Sequence, residues 1–137
     1  MRVTNHIFEL KPNEVFVFGS NEIGIHGKGA AKTAKKWGAK HLQGVGLMGQ
    51  TYGIPTVKKL RPYTVLPVSK IKKYVDDFIL FAKENEDKFF LITEIGCGLA
   101  GHSVSDIAPL FKNAISRKRE ASVSNLNSVV SKILESG

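Results

Sequence analysis

Two short apolar runs, Val15-Phe16-Val17-Phe18 and Phe89-Phe90-Leu91-Ile92, constrain this chain more than any other feature, because each passes directly into a glycine-rich segment. Neither run alternates apolar with polar residues, so each reads as a strand covered on both faces. Such a strand needs helices above and below its sheet, and the neighbouring patterns supply them. Ala30 to Trp37 is rich in alanine and lysine and stops at Gly38, as a short helix would. From about Ser69, Ile71, Val75, Phe78, Ile79 and Ala82 recur at three- and four-residue spacing and form one core-facing stripe. A further helix is expected near Ser105 or Asp106, with Pro109 in its first turn. Strands alternating with helices predict an α/β fold, a three-layer α/β/α sandwich around a mixed, largely parallel sheet.

Weaker signals fill the intervals. Val3 to Leu10 is a plausible strand, followed by a turn at Lys11-Pro12-Asn13. Tyr52 to Val57 reads as a short extended segment, and Pro55 within it predicts a sheet edge or strand end. Arg117-Lys118-Arg119 interrupts the pattern, after which Leu126, Val129, Val130, Ile133 and Leu134 share one face of a final amphipathic helix. The 137 residues amount to a single domain with enough chain for one core.

Composition narrows the function classes. With 42% hydrophobic and 23% charged residues the chain is globular in type. Its longest apolar stretches are far too short to cross a bilayer. Residues 1–20 lack the pattern of a signal peptide, and the single cysteine, Cys97, excludes an intrachain disulfide, so a cytoplasmic location and no membrane partner are expected. The histidines His6, His26, His41 and His102 show no metal-ligand spacing, and no metal is expected. A net charge of +8 suits a polyanionic partner. The lysines are spread over several elements, however, which favours a solvated basic surface around an anion site over a dedicated nucleic-acid interface.

In open α/β sheets, ligands sit beyond the carboxyl ends of the strands, where both glycine-rich segments lie. The first offers Gly19, Gly24, Gly27 and Gly29 before a helix, with Lys28 and Lys32 beside it. Glycines let backbone N–H groups converge on an anion; the alternative is an ordinary strand-to-helix turn. Ser20 and Asn21, at the strand end, could meet a sugar hydroxyl or a base edge. The second segment runs Gly96-Cys97-Gly98-Leu99-Ala100-Gly101. Neither familiar nucleotide motif fits: a P-loop would need glycine at position 22 and serine or threonine at 29, and the dinucleotide fingerprint would need glycine or alanine where Lys32 stands. His26 and His102 flank the segments, each either an acid–base group or an exposed loop side chain. Cys97 is either a thiolate at a helix end or a packed small residue. Glu94 either orients ribose hydroxyls or is a rim charge.

Three stretches resemble macro domains of the bacterial and phage type: Val17-Phe18-Gly19-Ser20-Asn21 with Gly24 to Ala31, Gly49-Gln50-Thr51-Tyr52-Gly53-Ile54-Pro55-Thr56, and Ile95 to Gly101. The last is similar to the phosphate loop of the terminal ADP-ribose glycohydrolase branch. The resemblance spans residues 15–112 and leaves the tail from Arg117 unmatched. It implies binding of ADP-ribose or a related nucleotide, free or on an ADP-ribosylated macromolecule, with no further cofactor. Asn21 would face the distal ribose. The Gly27-Lys28-Gly29 segment would lie beside that ribose and the diphosphate, and Gly96 to Gly101 would cradle the diphosphate from the other side. In that branch an aspartate follows Gly-Cys-Gly-Leu, whereas this chain has Ala100, and the lysine used there corresponds to Lys58 or Lys59. Without the aspartate, weak hydrolysis of an ADP-ribosyl or phosphate ester would rest on Asn21, His26 or Lys58. A basic nucleic-acid-binding accessory protein on the same fold is the alternative from a different class.

Overall fold

The computed structural model describes residues 9–92 together with Pro109 and Leu110. Their elements are β1 (Glu14–Asn21), α1 (Gly29–Ala34), β2 (Gly46–Met48), β3 (Thr51–Leu60), β4 (Tyr63–Val65), α2 (Val68–Glu84) and β5 (Phe89–Ile92). A 3₁₀ turn at Lys35–Trp37 extends α1 as far as Gly38. The expected strand over 3–10 lies outside the described residues except for Glu9 and Leu10, which are in no strand; of the helix expected near Ser105 or Asp106, Pro109 and Leu110 are described and helical; the tail helix lies outside the described residues.

β1 is the central strand. It pairs in parallel with β3 on one side, Phe16 opposite Thr51, and with β5 on the other, Val17 opposite Ile92. The far edge of β3 carries two short antiparallel strands end to end, β2 against Thr51 to Gly53 and β4 against Val57 to Leu60. The sheet is therefore mixed, as expected. Parallel neighbours cannot be joined by a tight turn, so a helical crossover follows β1 and another precedes β5.

The side chains of β1 divide the core in two. Phe16 and Phe18 point to one face, where they pack with Ala31 and Ala34 of α1 and with Met48, flanked by Trp37. Val15 and Val17 point to the other, among Ile71, Val75, Phe78, Ile79 and Ala82 of α2. The α2 stripe is the one its spacing predicts, and all five of its residues are buried. Burying each of its large apolar side chains contributes about 2 kcal/mol relative to leaving it exposed. Helices on opposite faces of one sheet give the three-layer arrangement.

Pro55 departs from expectation. Instead of ending a strand or lying on an edge, it sits inside the ten-residue β3, opposite Ser20 of the central strand. It is accommodated because it falls between the residues of β3 paired with β2 and those paired with β4. The missing N–H is needed by neither short ladder.

Candidate functional site

β1 and β5 run side by side in the same direction, so their carboxyl ends lie at the same end of the sheet. After β1 the chain passes to α1 over Phe16 and Phe18, whereas Leu110 packs on the opposite face, against the Val15 and Val17 cluster. Open α/β sheets bind ligands at the carboxyl ends of their strands, and the first glycine-rich loop lies there, after β1. The second, Gly96 to Gly101 with Cys97, Gly98, Leu99 and Ala100, lies outside the described residues, as do Glu94 and His102.

Asn21 ends β1 at a bulge, where the register with β3 steps from Pro55 to Val57. Its carboxamide is turned into its own loop. Oδ1 accepts from the backbone N–H of Gly24 (2.8 Å) and of Ile25 (2.9 Å), and Nδ2 donates to the carbonyl of Ile25 (2.7 Å). The side chain thus fixes the path of residues 21–25 as an extended Asx turn. It retains one Nδ2 proton for any other partner.

A second segment, residues 38–45, packs backbone to backbone on the first. Leu42 N–H donates to the Gly24 carbonyl (2.9 Å), and the Ser20 hydroxyl donates to the Gly44 carbonyl. Gly24 has φ +92°, and a Cβ there would fall inside the backbone of Leu42 and Gln43. His26 joins the same two segments: its Nε2 lies 2.8 Å from the Lys40 carbonyl and 2.9 Å from that of Gln43. Two carbonyls can only accept, so Nε2 carries the proton. The ring is 4% exposed and stands edge-on to Phe18, and Nδ1 is buried without a hydrogen-bond partner. His26 is therefore not an exposed loop side chain.

Beyond His26 the loop opens. Gly27, Lys28 and Gly29 are all exposed, and among the described residues nothing lies within 4 Å of where a Cβ on Gly27 or Gly29 would stand. Gly29 has φ +58°, which favours glycine by itself, but Gly27 is outside the left-handed region. Neither conformation nor packing thus calls for glycine at position 27. Lys28 and Lys32 are exposed alongside. Gly19 is half-buried within β1 and Ser20 is buried. Lys58 is exposed on β3 just past Val57, the residue opposite Asn21. Gly19, Ser20 and Asn21 thus lie at the carboxyl end of β1, His26, Gly27, Lys28 and Gly29 in the loop that leads into α1, and Lys58 on β3 just past the residue opposite Asn21.

Two residues at this edge were not singled out by their sequence context. Glu22, next to Asn21, accepts a hydrogen bond from the Tyr74 hydroxyl of α2, and its own N–H donates to the Val57 carbonyl (2.9 Å). Burial, then the hydrogen bond and charge of Glu22, and finally Asp77, push the Tyr74 phenol up to about 12. Tyr52, in the core beneath, is likewise pushed up to about 12, by burial first and then by Asp77. An acidic residue directly after a strand-terminal asparagine was the available signal for Glu22. For Tyr74, its place one residue before Val75 put it beside the core stripe.

Among the described residues no group of three His, Cys, Asp or Glu side chains could hold a metal ion. Among the same residues no helix is long and apolar enough to cross a membrane. What the edge offers is open backbone and cations, with the polar side chains nearest them occupied in shaping the loop.

No family model matches this chain, and no curated protein does. A solved structure from Bacteroides thetaiotaomicron, described as a protein of unknown function, is similar to it with a TM-score of 0.58 and 18% identity, covering 82% of this chain and 87% of that one. At that identity the likeness shows a shared α/β architecture.

Proposed function

We propose that this chain binds a nucleotide bearing a diphosphate, ADP-ribose or a close relative, at the carboxyl edge of β1 and β5. The observation that carries the reading is the open Gly27-Lys28-Gly29 segment. A glycine with free space around it and no positive φ suits close approach by something outside the chain, and an exposed lysine beside it suits an anion. The macro-domain resemblance of the same residues adds the identity of the ligand. The second glycine-rich loop, Gly96 to Gly101, completes the proposed cradle. The ligand is either free or carried on an ADP-ribosylated macromolecule, and the setting we infer is cytoplasmic.

The proposed role is holding the ligand, not cutting it. Asn21 and His26, two of the three side chains offered for catalysis, already spend hydrogen bonds on the loop. Lys58 remains solvent-facing, but the aspartate partner of the resembling branch is replaced by Ala100. Any hydrolysis of an ADP-ribosyl or phosphate ester would accordingly be slow.

Calorimetric titration with ADP-ribose, ADP and AMP tests the reading. Saturable binding of ADP-ribose and ADP, with AMP weaker, is the expected result. At a hundredfold excess over Kd such a ligand adds about 2.7 kcal/mol of stability, roughly 5–10 °C in Tm for a domain of this size. The absence of heat and of thermal shift with all three would remove the assignment.

A further inference from the structure

The hairpin of β3 and β4 extends past the end of the central strand. Pairing of β3 with β1 ends at Val57, whereas β3 continues to Leu60 and turns back through β4. Exposure changes at the same point. Thr51 to Val57 are buried without a break; Lys58, Lys59, Arg61, Pro62 and Tyr63 are all exposed.

We propose that this tip binds single-stranded nucleic acid, with Tyr63 stacking on a base and Lys58, Lys59 and Arg61 neutralising the flanking phosphates. Lys58 borders the cleft as well, but the inference does not rest on the ligand proposed there.

Three observations carry it. The first is the register step between Val57 and Lys59, which places Lys58 and Lys59 together against Thr64. The bulge re-aims consecutive side chains, and both lysines are exposed. The second is Tyr63, which is 51% exposed and, among the exposed large apolar residues of the described chain, the aromatic one. It stands opposite Leu60, which adjoins both Lys59 and Arg61 in the chain. The third is the distribution of charge. Between Glu22 and Asp76 the chain has eleven lysines and arginines and no acidic residue, so no carboxylate from that stretch competes for these cations.

A flat ring beside cations is the arrangement with which proteins hold single strands: every base offers a π-face, and the phosphates follow the positive charge. A duplex keeps its base faces stacked and out of reach of such a ring. A bilayer would gain little, since at the tip Tyr63 ends in a hydroxyl and Leu60 is half-buried. An acidic peptide would use the cations and leave the ring idle.

Fluorescence anisotropy of the full chain with a labelled oligothymidylate of about 15 nucleotides, titrated across potassium chloride concentrations, tests the proposal. Three phosphate contacts on a single strand predict a log K against log salt slope of about −2. The Lys59→Gln/Arg61→Gln double variant should make that slope shallower by about 1.4. Tyr63→Ala should weaken binding on the order of 10- to 100-fold with the slope unchanged, and Tyr63→Phe should restore it. Equal affinity of wild type and Tyr63→Ala would overturn the proposal. So would preference for the same sequence as a duplex, or binding to phosphatidylserine vesicles without binding to the oligonucleotide. Should a hairpin variant fail to fold, photocrosslinking of a bromouracil oligonucleotide to the wild-type chain decides: adducts on Tyr63 uphold the proposal, and adducts confined to other elements overturn it.

Discussion

At Gly24 a side chain has no room, and at Gly27, three residues later, it has nothing to meet. The contrast separates glycines that build the loop from a glycine that leaves space beside it. Gly24→Ala combines strain at positive φ with a clash against the backbone of Leu42 and Gln43, and it should cost about 2–4 kcal/mol, read as a fall in the denaturation midpoint. Asn21→Ala should be of similar size, about 2–3 kcal/mol, because it frees the N–H groups of Gly24 and Ile25 and the Ile25 carbonyl together. A loss confined to ligand affinity, with stability intact, would show instead that Asn21 acts on the ligand directly. Sequence alone placed Asn21 at the end of its strand and His26 in the loop that follows. It gave no hint that their polar atoms turn inward, because that depends on residues 38–45. Those residues are distant in sequence, rich in glycine and weak in periodic signal.

The elements that sequence patterning identified are those whose burial is continuous along the chain. The β1 core run and the α2 stripe each satisfy one face or one environment throughout, so their periods survive in the residues. β3 was only partly legible, since Pro55 argues against a strand unless the outer edge happens to be divided between β2 and β4 at that point. That division is a property of pairing, not of local sequence. The contact between α2 and the loop after β1, Tyr74 to Glu22, belongs to the same class of long-range fact. It has a measurable consequence at high pH. Tyr52 and Tyr74 hold their protons up to about 12 when folded, against 10 as the ordinary value. Below pH 10 both states keep the phenols protonated and stability is unaffected; between 10 and 12 the unfolded chain ionises first and stability falls. Denaturation midpoints should therefore drop across that window, and Tyr74→Phe should make the drop smaller. An unchanged drop would show that Tyr74 is not held as described.

At the scale of the whole chain the net charge is +8, and exposed cations stand beside the first glycine-rich loop. Lys28, in the loop after β1, and Lys58, Lys59 and Arg61, past the residues of β3 paired with β1, are all exposed, whereas Glu22 is engaged by Tyr74. This arrangement raises the local concentration of anions and is expected to speed their association at low salt. The central claim is that the open backbone at Gly27 is there for a nucleotide diphosphate, and one measurement addresses it directly. Titrate ADP-ribose into the wild-type chain and into Gly27→Val by calorimetry, and record the Tm of both without ligand. The account predicts ligand-free stabilities within about 0.5 kcal/mol of each other, as for an exposed site without packing, with at least a tenfold loss of affinity in the variant. Equal affinity for ADP-ribose in both chains would contradict it.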